Sequence, residues 1–324
     1  MTEPLVSIRE LSVRFSRAGQ TIHAVNGISF ELAPGEVLGV LGESGSGKSV
    51  TLRAMLRILP AHRSSVSGAI RIAGRDVLAL RGAELEDYRG GTVSMIFQEP
   101  MLAFDPVFTI GQQIAETVRR HLRMDERAAR ARALEMLERV QIPSARRRLD
   151  AYPHEMSGGM RQRAMIALAL ACKPKLLLAD EPTTSLDATV QIQILLLLRE
   201  LQREFGMSVI FVTHDVGVAI EVADRLAVMY AGRIVETGSV REVIRSASHP
   251  YTQGLLSSTV RGELRGQRIE AIPGSPPDLA AMPPGCAFAP RCKHASEACL
   301  REVPAAIDVG GGHAARCVLL RQAA

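Results

Sequence analysis

The first part of the chain contains short runs in which apolar and polar residues alternate. These runs are residues 6–15, 27–32 and 68–77, which read VSIRELSVRF, GISFEL and GAIRIAGRDV. Alternation that includes β-branched residues predicts β-strands with one buried face. Residues 35–59 then pass from an apolar run through glycines and serines into a helical pattern. That stretch is predicted to form a strand, a loop and a helix.

Three later runs are apolar almost throughout, namely residues 92–98, 175–180 and 207–214. Strands that are buried on both faces have this pattern, so we expect them to form a parallel sheet. Residues 99–170, between the first two of these runs, follow a helical pattern without a strand-like run. This pattern predicts an inserted helical lobe.

The last third of the chain changes character. Two strands are predicted on either side of Ala231 and Gly232, and from about Ser248 proline and glycine become frequent while periodicity fades. A length of 324 residues favours about two units. We therefore predict a main domain at residues 1–247 and a separate C-terminal extension at residues 248–324.

Composition and charge narrow the class of protein. Hydrophobic residues make up 47% of the chain and charged residues 23%, which is typical of a globular protein. The net charge of +5 includes an arginine-rich stretch at residues 119–140. Acidic residues interrupt that stretch and its apolar spacing suits a helix, so a solvated basic face is favoured over nucleic-acid binding. With neither a leader pattern nor an apolar run long enough to span a bilayer, the chain is expected to stay in the cytosol.

The loop after the third predicted strand has a phosphate-binding pattern. Residues 42–49 read GESGSGKS and match G-x-x-x-x-G-K-[ST]. Glycines allow backbone N–H groups to turn toward phosphate oxygens at a helix N-terminus, lysine supplies a charge, and the last serine can bind Mg²⁺. A plain flexible loop is the alternative, but the flanking strand and helix disfavour it. The predicted nucleotide-binding residues here are Gly42, Glu43, Ser44, Gly45, Ser46, Gly47, Lys48, Ser49 and Val50.

A pair of acidic residues follows another buried strand. Asp180 and Glu181 end the run LLLADEP, so the strand delivers two carboxylates to the sheet edge where parallel strands present ligand-binding loops. We predict that Asp180 belongs to the Mg²⁺ site. Glu181 is predicted to orient or deprotonate the water that attacks the γ-phosphate of ATP.

Four further motifs occur in order: Gln98 after a strand, MSGGMRQR at 156–163, SLD at Ser185 to Asp187, and VTHD with His214. With the two motifs above, the chain resembles the nucleotide-binding subunits of ABC transporters. The resemblance implies an α/β fold, namely a P-loop (RecA-like) ABC nucleotide-binding domain with an antiparallel β subdomain and a helical signature subdomain at about 99–170. The resemblance further implies that Gln98 contacts Mg²⁺ or water, that His214 contacts the γ-phosphate, and that Asp187 lies at a dimer interface.

The resemblance also suggests how the adenine and the second protomer are bound. Phe15 stands where the family stacks an aromatic ring on adenine, although one aromatic residue in a strand is as often core. Ser157, Gly158 and Gly159 read as a helix N-terminus able to bind the γ-phosphate of ATP held by the opposite protomer. Met156 and Met160 flank this signature, where the commonest family form is LSGGQ. Because the serine and both glycines remain, the site is expected to be active.

Longer stretches indicate a subfamily. FQEPMLAFDPVFTIGQQIAE, HPYTQGLL and IPGSPPDLAAMPPGCAFAPRC resemble the ATP-binding subunits of oligopeptide and dipeptide importers, a group that includes nickel and glutathione importers. This resemblance implies two membrane permease subunits, a second ATP-binding subunit and, indirectly, an extracytoplasmic solute-binding protein as partners. The resemblance also implies that the chain lies peripherally on the cytoplasmic face of the inner membrane. Nucleic acid is not expected among its partners.

Four of the five cysteines lie in the extension, with the spacing C-x5-C-x6-C-x17-C: Cys286, Cys292, Cys299 and Cys317. In a reducing compartment, metal binding and buried free thiols are the competing interpretations, and the spacing alone does not decide. Because some peptide importers carry a 4Fe-4S cluster here, the resemblance favours iron–sulfur over zinc or free thiols. His294 and His313 are substitute ligands if the metal is zinc. Cys172 is predicted to be a core thiol.

Two other functions are alternatives to transport. A soluble ABC ATPase that acts on nucleic acid or ribosomes generally needs long coiled-coil arms or two cassettes in one chain. The segment from Ser49 to Ser157 is too short for a long arm, and each motif occurs once. The second alternative makes the extension a redox or metal sensor that gates the ATPase.

Overall fold

A computed structural model describes residues 3–17, 19–183, 186–258 and 272–322. The chain forms two compact units. The first unit comprises Met1–Leu5, Ala33–Glu36 and Ala73–Phe211. The second unit comprises Val6–Leu32, Val37–Ile72 and Val212–Ala324.

The strands and helices have the following bounds. The strands are β1 (Val6–Arg17), β2 (Gln20–Leu32), β3 (Val37–Leu41), β4 (Ser64–Ile72), β5 (Arg75–Asp76), β6 (Val93–Ile96), β7 (Leu176–Asp180), β8 (Ser208–Thr213), β9 (Arg225–Tyr230), β10 (Arg233–Ser239), β11 (Ile307–Gly310) and β12 (His313–Ala315). The α-helices are α1 (Lys48–Met55), α2 (Gly82–Asp87), α3 (Ile110–Leu122), α4 (Glu126–Arg139), α5 (Ala145–Arg148), α6 (Gly158–Leu170), α7 (Ala188–Phe205), α8 (Val216–Val222), α9 (Val240–Arg245), α10 (Pro250–Ser257) and α11 (Glu297–Arg301). Short 3-10 turns lie at Pro100–Leu102, Pro153–Glu155, Ala289–Arg291 and Val318–Gln322, and a π-type turn lies at Tyr88–Thr92.

The second unit contains the alternating strands. β1 pairs antiparallel with both β2 and β4, and Val6 lies opposite Leu32 on one side and Ile72 on the other. The apolar positions of β1, such as Ile8 and Val13, are buried while intervening polar residues are not. This confirms the prediction that the alternating runs are strands with one buried face.

In the same unit, β3 pairs parallel with β9, and every residue of β3 is buried. β9 and β10 are antiparallel and meet at Ala231 and Gly232, as predicted. The extension adds the short strands β11 and β12, and β12 pairs with β10. The sequence did not indicate these two strands, because each is only three or four residues long.

The core of the second unit includes side chains from the extension. Leu41 of β3 and Tyr230 of β9 share one apolar cluster with Tyr251 of α10 and with Phe288. Burial of apolar surface of this kind is the main force that holds elements together. The strand that leads into the phosphate loop is therefore packed in the same core as the extension.

The first unit contains the parallel pair β6 and β7, with β8 next to β7. Residues 99–170, which are all described, form helices and turns without a strand, so the predicted helical stretch is confirmed. α3, α4 and α6 bury apolar side chains, including Ile114, Ala133 and Ile166.

The arginine-rich stretch differs from the single helix that its spacing suggested. α3 ends at Leu122, Arg123 adopts a left-handed conformation with φ 53°, and Asp125 caps α4 by accepting a hydrogen bond from the N–H of Ala128 at 2.8 Å. An aspartate at the cap position starts a new helix because its carboxylate satisfies a free N–H group. Most arginines here are solvated as expected, but Arg132 is buried and donates to the carbonyl of Ala171 at 3.1 Å.

Among the helices within the described ranges, none combines the length and the apolar character needed to cross a membrane.

Candidate active site

The phosphate loop lies in the second unit, between β3 and α1, and its glycines are required by close backbone approaches. Gly47 has φ 102°, and a Cβ atom there would lie 2.4 Å from the carbonyl oxygen of Ala24. A Cβ atom on Gly42 would lie 2.3 Å from the carbonyl oxygen of Met229. A residue with a side chain fits neither position. The loop is therefore packed against β2 and β9 through its own backbone.

The loop has the features of an anion site. The Lys48 side chain is buried, and its Nζ donates to the carbonyl oxygens of Gly42 at 2.7 Å and Glu43 at 3.0 Å. α1 begins at Lys48 and has no acidic residue in its first turn, so its N-terminus carries positive charge. The Oγ of Ser46 is buried and has no hydrogen-bond partner among the described residues. A phosphate oxygen could accept hydrogen bonds from these donors. Of the other predicted loop residues, Ser44 and Gly45 are exposed, and Ser49 and Val50 are half-buried.

Two other predicted residues lie in the second unit. His214 is exposed and follows β8 directly. Phe15 is half-buried in β1, where it lies opposite Ile22 of β2 and Ser64 of β4. Their contacts with nucleotide stay predictions.

In the first unit, strand register brings Gln98 to Glu181. Ile96 of β6 lies opposite Ala179 of β7, and each of the two residues follows its strand partner by two positions. Gln98 Nε2 accordingly donates to Glu181 Oε2 at 3.4 Å. Asp180, the last residue of β7, is buried. The parallel strands β6 and β7 thus bring a carboxylate pair and an amide to one edge.

The backbone of Glu181 is strained. Its φ is 45°, a left-handed conformation that L-residues with long side chains seldom adopt. Such conformations cost on the order of 1–3 kcal/mol and persist where the surrounding structure holds them. This strained residue stands directly after β7, which ends at Asp180.

The signature and the Asp187 segment are neighbours in the first unit. Ser157 caps α6 by accepting from the N–H of Met160 at 3.3 Å, and Asp187 caps α7 by accepting from the N–H of Val190 at 2.9 Å. A Cβ atom on Gly159 would lie 3.2 Å from Val190 Cγ1. Ser157 and Gly158 are exposed, so α6 presents its N-terminus on the surface of this unit. Ser185 lies outside the described residues.

Sequence reasoning missed two residues that contact the phosphate loop. The Arg291 guanidinium forms an ion pair with the Glu43 carboxylate, with an Nη1–Oε2 distance of 2.7 Å. The Tyr251 hydroxyl oxygen accepts a hydrogen bond from the N–H of Glu43 at 2.9 Å. Both belong to stretches that carried the subfamily resemblance, but no pattern in one sequence pairs residues 248 positions apart.

The four extension cysteines lie in the second unit. Burial raises the pKa of the Cys286, Cys292 and Cys317 thiols, and the Cys299 sulfur adds to the rise at each of them. Cys292 Sγ accepts from the N–H of His294 at 3.4 Å. Cys299 Sγ accepts from the N–H of Ser296 at 3.5 Å.

The predicted 4Fe-4S cluster is not supported. In the part of the chain that the structure describes, no group of three or more His, Cys, Asp or Glu side chains is arranged to hold a metal ion. His313, a predicted substitute ligand, instead binds Glu236 Oε1 through Nε2 at 2.7 Å, and His294 is exposed. Cys172 is a buried core thiol as predicted, and burial raises its pKa to about 11.

Comparison with protein families gives two matches along the chain. The ABC transporter model matches residues 25–184, and the model of the oligopeptide/dipeptide transporter C-terminal region matches residues 235–299. A peptide import ATP-binding protein of Brucella abortus is 49% identical over 316 residues, which cover 98% of this chain and 95% of the relative. This chain belongs to the ATP-binding subunits of ABC transporters.

Within that family it carries the oligopeptide/dipeptide C-terminal region. The dipeptide transport ATP-binding protein DppD of Bacillus subtilis is 46% identical over 323 residues, covering 99% of this chain and 96% of that protein. This ABC subunit is therefore an ATPase, and the alternative of a soluble ABC ATPase acting on nucleic acid or ribosomes is not supported.

Solved structures agree with the family. The dimeric ATP-binding cassette MJ0796, bound to ADP and Pi in a post-hydrolysis state, matches with a TM-score of 0.65 and 28% identity, covering 73% of this chain and 99% of that one. The cbiO1 protein from Clostridium perfringens matches with a TM-score of 0.63 and 28% identity, covering 76% and 92% of the two chains. The predicted fold class, an α/β ABC cassette with antiparallel and parallel sheets, is confirmed.

Proposed function

We propose that this ABC subunit couples ATP hydrolysis to the uptake of peptides through a membrane transporter. The observation that carries the proposal is the match, over nearly the full chain and including the C-terminal region, to peptide and dipeptide import ATP-binding proteins. The proposed partners are two membrane permease subunits, a second ATP-binding subunit of the same or a related kind and, indirectly, an extracytoplasmic solute-binding protein. The proposed location is the cytoplasmic face of the inner membrane.

ATP is proposed to bind at residues 42–50. Backbone N–H groups of the loop and the N-terminus of α1 receive the phosphates, and Lys48 neutralises the charge of the outer two. The buried Ser46 hydroxyl supplies a further donor. Phe15 is proposed to stack on adenine, and its half-buried ring is compatible with that role.

Mg²⁺ is proposed to be held by Ser49, Gln98 and Asp180. These side chains offer hydroxyl, amide and carboxylate oxygens, which are the ligands that this hard cation prefers. Asp180 is the last residue of β7 and is buried, so its carboxylate lies at the end of the strand where parallel strands present ligand-binding loops. When bound, Mg²⁺ neutralises charge on the phosphate oxygens.

Hydrolysis is proposed to proceed by in-line attack of water on the γ-phosphorus. Glu181 orients that water and accepts its proton, the bond to the ADP oxygen breaks, and ADP and phosphate leave. The hydrogen bond from Gln98 holds the Glu181 carboxylate in one orientation. His214 is proposed to contact the γ-phosphate.

Each site is proposed to be completed by a second protomer. The exposed N-terminus of α6, with Ser157, Gly158 and Gly159, would bind the γ-phosphate held by the partner subunit, and Asp187 would lie at the interface. Exposure of Ser157 and Gly158 supports this role, because these residues are open to another molecule. The domain division at residue 247, with an ATPase domain before it and a transporter-specific extension after it, is likewise proposed. The family match at residues 235–299 supports a transporter-specific C-terminal region, although it begins twelve residues before that boundary.

A 4Fe-4S cluster at Cys286, Cys292, Cys299 and Cys317 is a separate, finer proposal. It is supported by four thiols in one segment, two of which accept backbone N–H groups as cluster sulfurs commonly do. The present arrangement of these side chains does not meet the requirement of a metal site, so no step of the mechanism depends on a cluster. Iron and sulfide analysis of the anaerobically purified chain tests the proposed cluster. A chain that contains no iron would rule the cluster out.

The catalytic proposal is tested with Glu181→Gln. The amide cannot take a proton from water, so hydrolysis should fall by at least about 100-fold while MgATP binding is retained. The matched control is Glu200→Gln, an exposed carboxylate on α7 of the same unit, which should leave turnover unchanged. Undiminished hydrolysis by Glu181→Gln would remove Glu181 from the catalytic role.

A further inference from the structure

A buried ion pair joins the extension to the phosphate loop inside the second unit. Arg291 Nη1 lies 2.7 Å from Glu43 Oε2, and Arg291 Nη2 lies 3.0 Å from Glu43 Oε1. This bidentate geometry fixes the direction of the carboxylate as well as its position. The Arg291 side chain is 5% exposed and the Glu43 side chain 26%, so the pair is only partly screened by water.

The rest of the guanidinium is also engaged. Arg291 Nε donates to the carbonyl oxygen of Pro273 at 2.8 Å, and Nη1 donates to the Tyr230 hydroxyl at 3.3 Å. Its Cζ lies 5.8 Å from the ring centroid of Tyr230 and 5.9 Å from that of Phe288. A planar, fully bonded guanidinium has little freedom to move. Arg291 is therefore a fixed point to which Glu43 is attached.

A second contact holds the backbone of the same residue. The Tyr251 hydroxyl accepts from the N–H of Glu43 at 2.9 Å, and Tyr251 is completely buried. Its ring lies 4.6 Å from that of Tyr230 and 5.4 Å from that of Phe288, measured between centroids. Both the main chain and the side chain of Glu43 are thus held by residues beyond the ATPase motifs.

Glu43 in turn contacts the groups that would bind phosphate. Its carbonyl oxygen accepts from Lys48 Nζ at 3.0 Å and from the N–H of Ser46 at 3.2 Å. A shift of Glu43 would move the carbonyl that positions the Lys48 ammonium. The extension is therefore connected to Lys48 through one intervening residue.

A purely stabilising role explains this arrangement poorly. Phe288 and Tyr251 already attach the extension through the shared apolar core, and apolar packing does so without desolvating charges. A buried ion pair adds little net stability, because desolvation offsets most of the attraction. What it does supply is a fixed geometry at Glu43.

We propose that Arg291 and Tyr251 are positioning residues of the nucleotide site, through which the C-terminal extension sets how often the phosphate loop is in its ATP-binding conformation. The inference rests on the proposed nucleotide site at residues 42–50. When only a fraction of molecules is competent, the apparent Kd rises by the inverse of that fraction. Coupling is reciprocal, so bound nucleotide must also stabilise the attachment of the extension.

The first experiment compares Arg291→Ala with wild type in the full-length chain, with MgATP affinity measured by calorimetry. Couplings of this kind are typically 5–150-fold, and we expect Kd to rise about tenfold. The matched control is Arg301→Ala, which removes an arginine from the same extension. Arg301 pairs with Glu297 at 2.6 Å, but both side chains are exposed, so nucleotide affinity should not change.

Steady-state kinetics then separate positioning from a general loss of structure. Saturating ATP draws the whole population into the competent conformation, so Arg291→Ala should raise KM about tenfold and leave kcat within about twofold. Arg291→Lys keeps the charge but loses the two-pronged bond, and should give an intermediate KM. A fall in kcat at constant KM would overturn the proposal.

A double-mutant cycle tests whether the two residues act as a pair. If they do, Glu43→Gln combined with Arg291→Ala should bind MgATP no more weakly than Arg291→Ala alone. Effects that multiply would contradict the pairing.

Tyr251→Phe tests the proposal if Arg291→Ala fails to fold. This variant removes one acceptor and keeps the ring, so Kd is expected to rise about fivefold from the loss of one hydrogen bond. Unchanged affinity would then count against the proposal.

Lys48→Ala distinguishes this inference from the proposed site on which it rests. If Lys48→Ala abolishes MgATP binding while Arg291→Ala and Tyr251→Phe behave like Arg301→Ala, the site stands and the positioning role is overturned. If Lys48→Ala leaves binding unchanged, the nucleotide site itself is wrong.

Discussion

Two helix N-termini in this protein are proposed to bind phosphate, and they are built in opposite ways. α1 begins after Gly47, which has a left-handed backbone and no side chain to cap the helix. α6 begins after Ser157, whose extended backbone and hydroxyl form an ordinary cap. The first depends on backbone from distant strands, whereas the second is formed by residues within one turn of the helix.

The difference lies in what each loop needs from the rest of the molecule. The phosphate loop is packed against the carbonyls of Ala24 and Met229 and is held at Glu43 by Arg291 and Tyr251. The signature is exposed, and a Cβ atom on Gly158 would meet only Leu186 Cδ2, at 3.9 Å. We infer that the phosphate loop is preassembled by tertiary contacts, while the signature is left open for a partner.

The largest contrast should come from replacing a glycine in each loop. Gly47→Ala places a Cβ atom 2.4 Å from a carbonyl oxygen in a left-handed conformation, so we expect a loss of about 3 kcal/mol in the free energy of unfolding. The matched Gly158→Ala has ordinary space and should change it by less than about 0.5 kcal/mol. Urea unfolding of both variants measures this, and equal losses would contradict the comparison.

Acid should lower the free energy of unfolding through His249, which lies among the residues that support the phosphate loop. His249 caps α10, the helix that carries Tyr251, and burial lowers its pKa from 6.5 to about 4. The unfolded chain therefore takes up a proton between these pH values that the folded chain does not, and the free energy of unfolding falls as pH drops through this window, by about 3 kcal/mol at its lower end.

His249→Asn keeps an acceptor for the N–H of Tyr251 but does not titrate, so this part of the pH dependence should disappear. His154→Asn is the control, because His154 is exposed. Urea unfolding from pH 7 to pH 4 checks the expectation. A wild-type slope that persists in His249→Asn would assign the effect to other groups.

The smallest effect is expected at the signature cap. Ser157→Ala removes the acceptor for the N–H of Met160 and should cost about 1 kcal/mol of stability. Ser157→Asp restores a cap but places a negative charge where the partner's γ-phosphate is proposed to bind, so stability should recover while hydrolysis does not. If Ser157→Asp also restores hydrolysis, the signature does not bind the phosphate.

The sequence predicted the elements whose causes are local. Apolar alternation predicted β1, and the glycine spacing predicted the loop before α1. The contact between Gln98 and Glu181 follows from two short parallel strands that were also predicted. Local chemistry determined these features, and local chemistry is what one sequence displays.

Features that depend on distant partners were missed. The ion pair of Arg291 with Glu43 joins residues 248 positions apart, and nothing near either residue indicates the other. The break between α3 and α4 was missed because apolar spacing continues across it, although Asp125 is a cap residue. The resemblance to peptide importers favoured a metal site at the four cysteines, whose spacing alone did not decide, and spacing does not fix where the side chains point.

Peptide uptake by proteoliposomes that contain the assembled transporter tests the central claim most directly. We predict uptake of labelled peptide that requires ATP on the side of this subunit, is lost with Glu181→Gln and is unchanged with Glu200→Gln. Uptake that continues in Glu181→Gln, or ATP hydrolysis without any movement of peptide, would contradict the account.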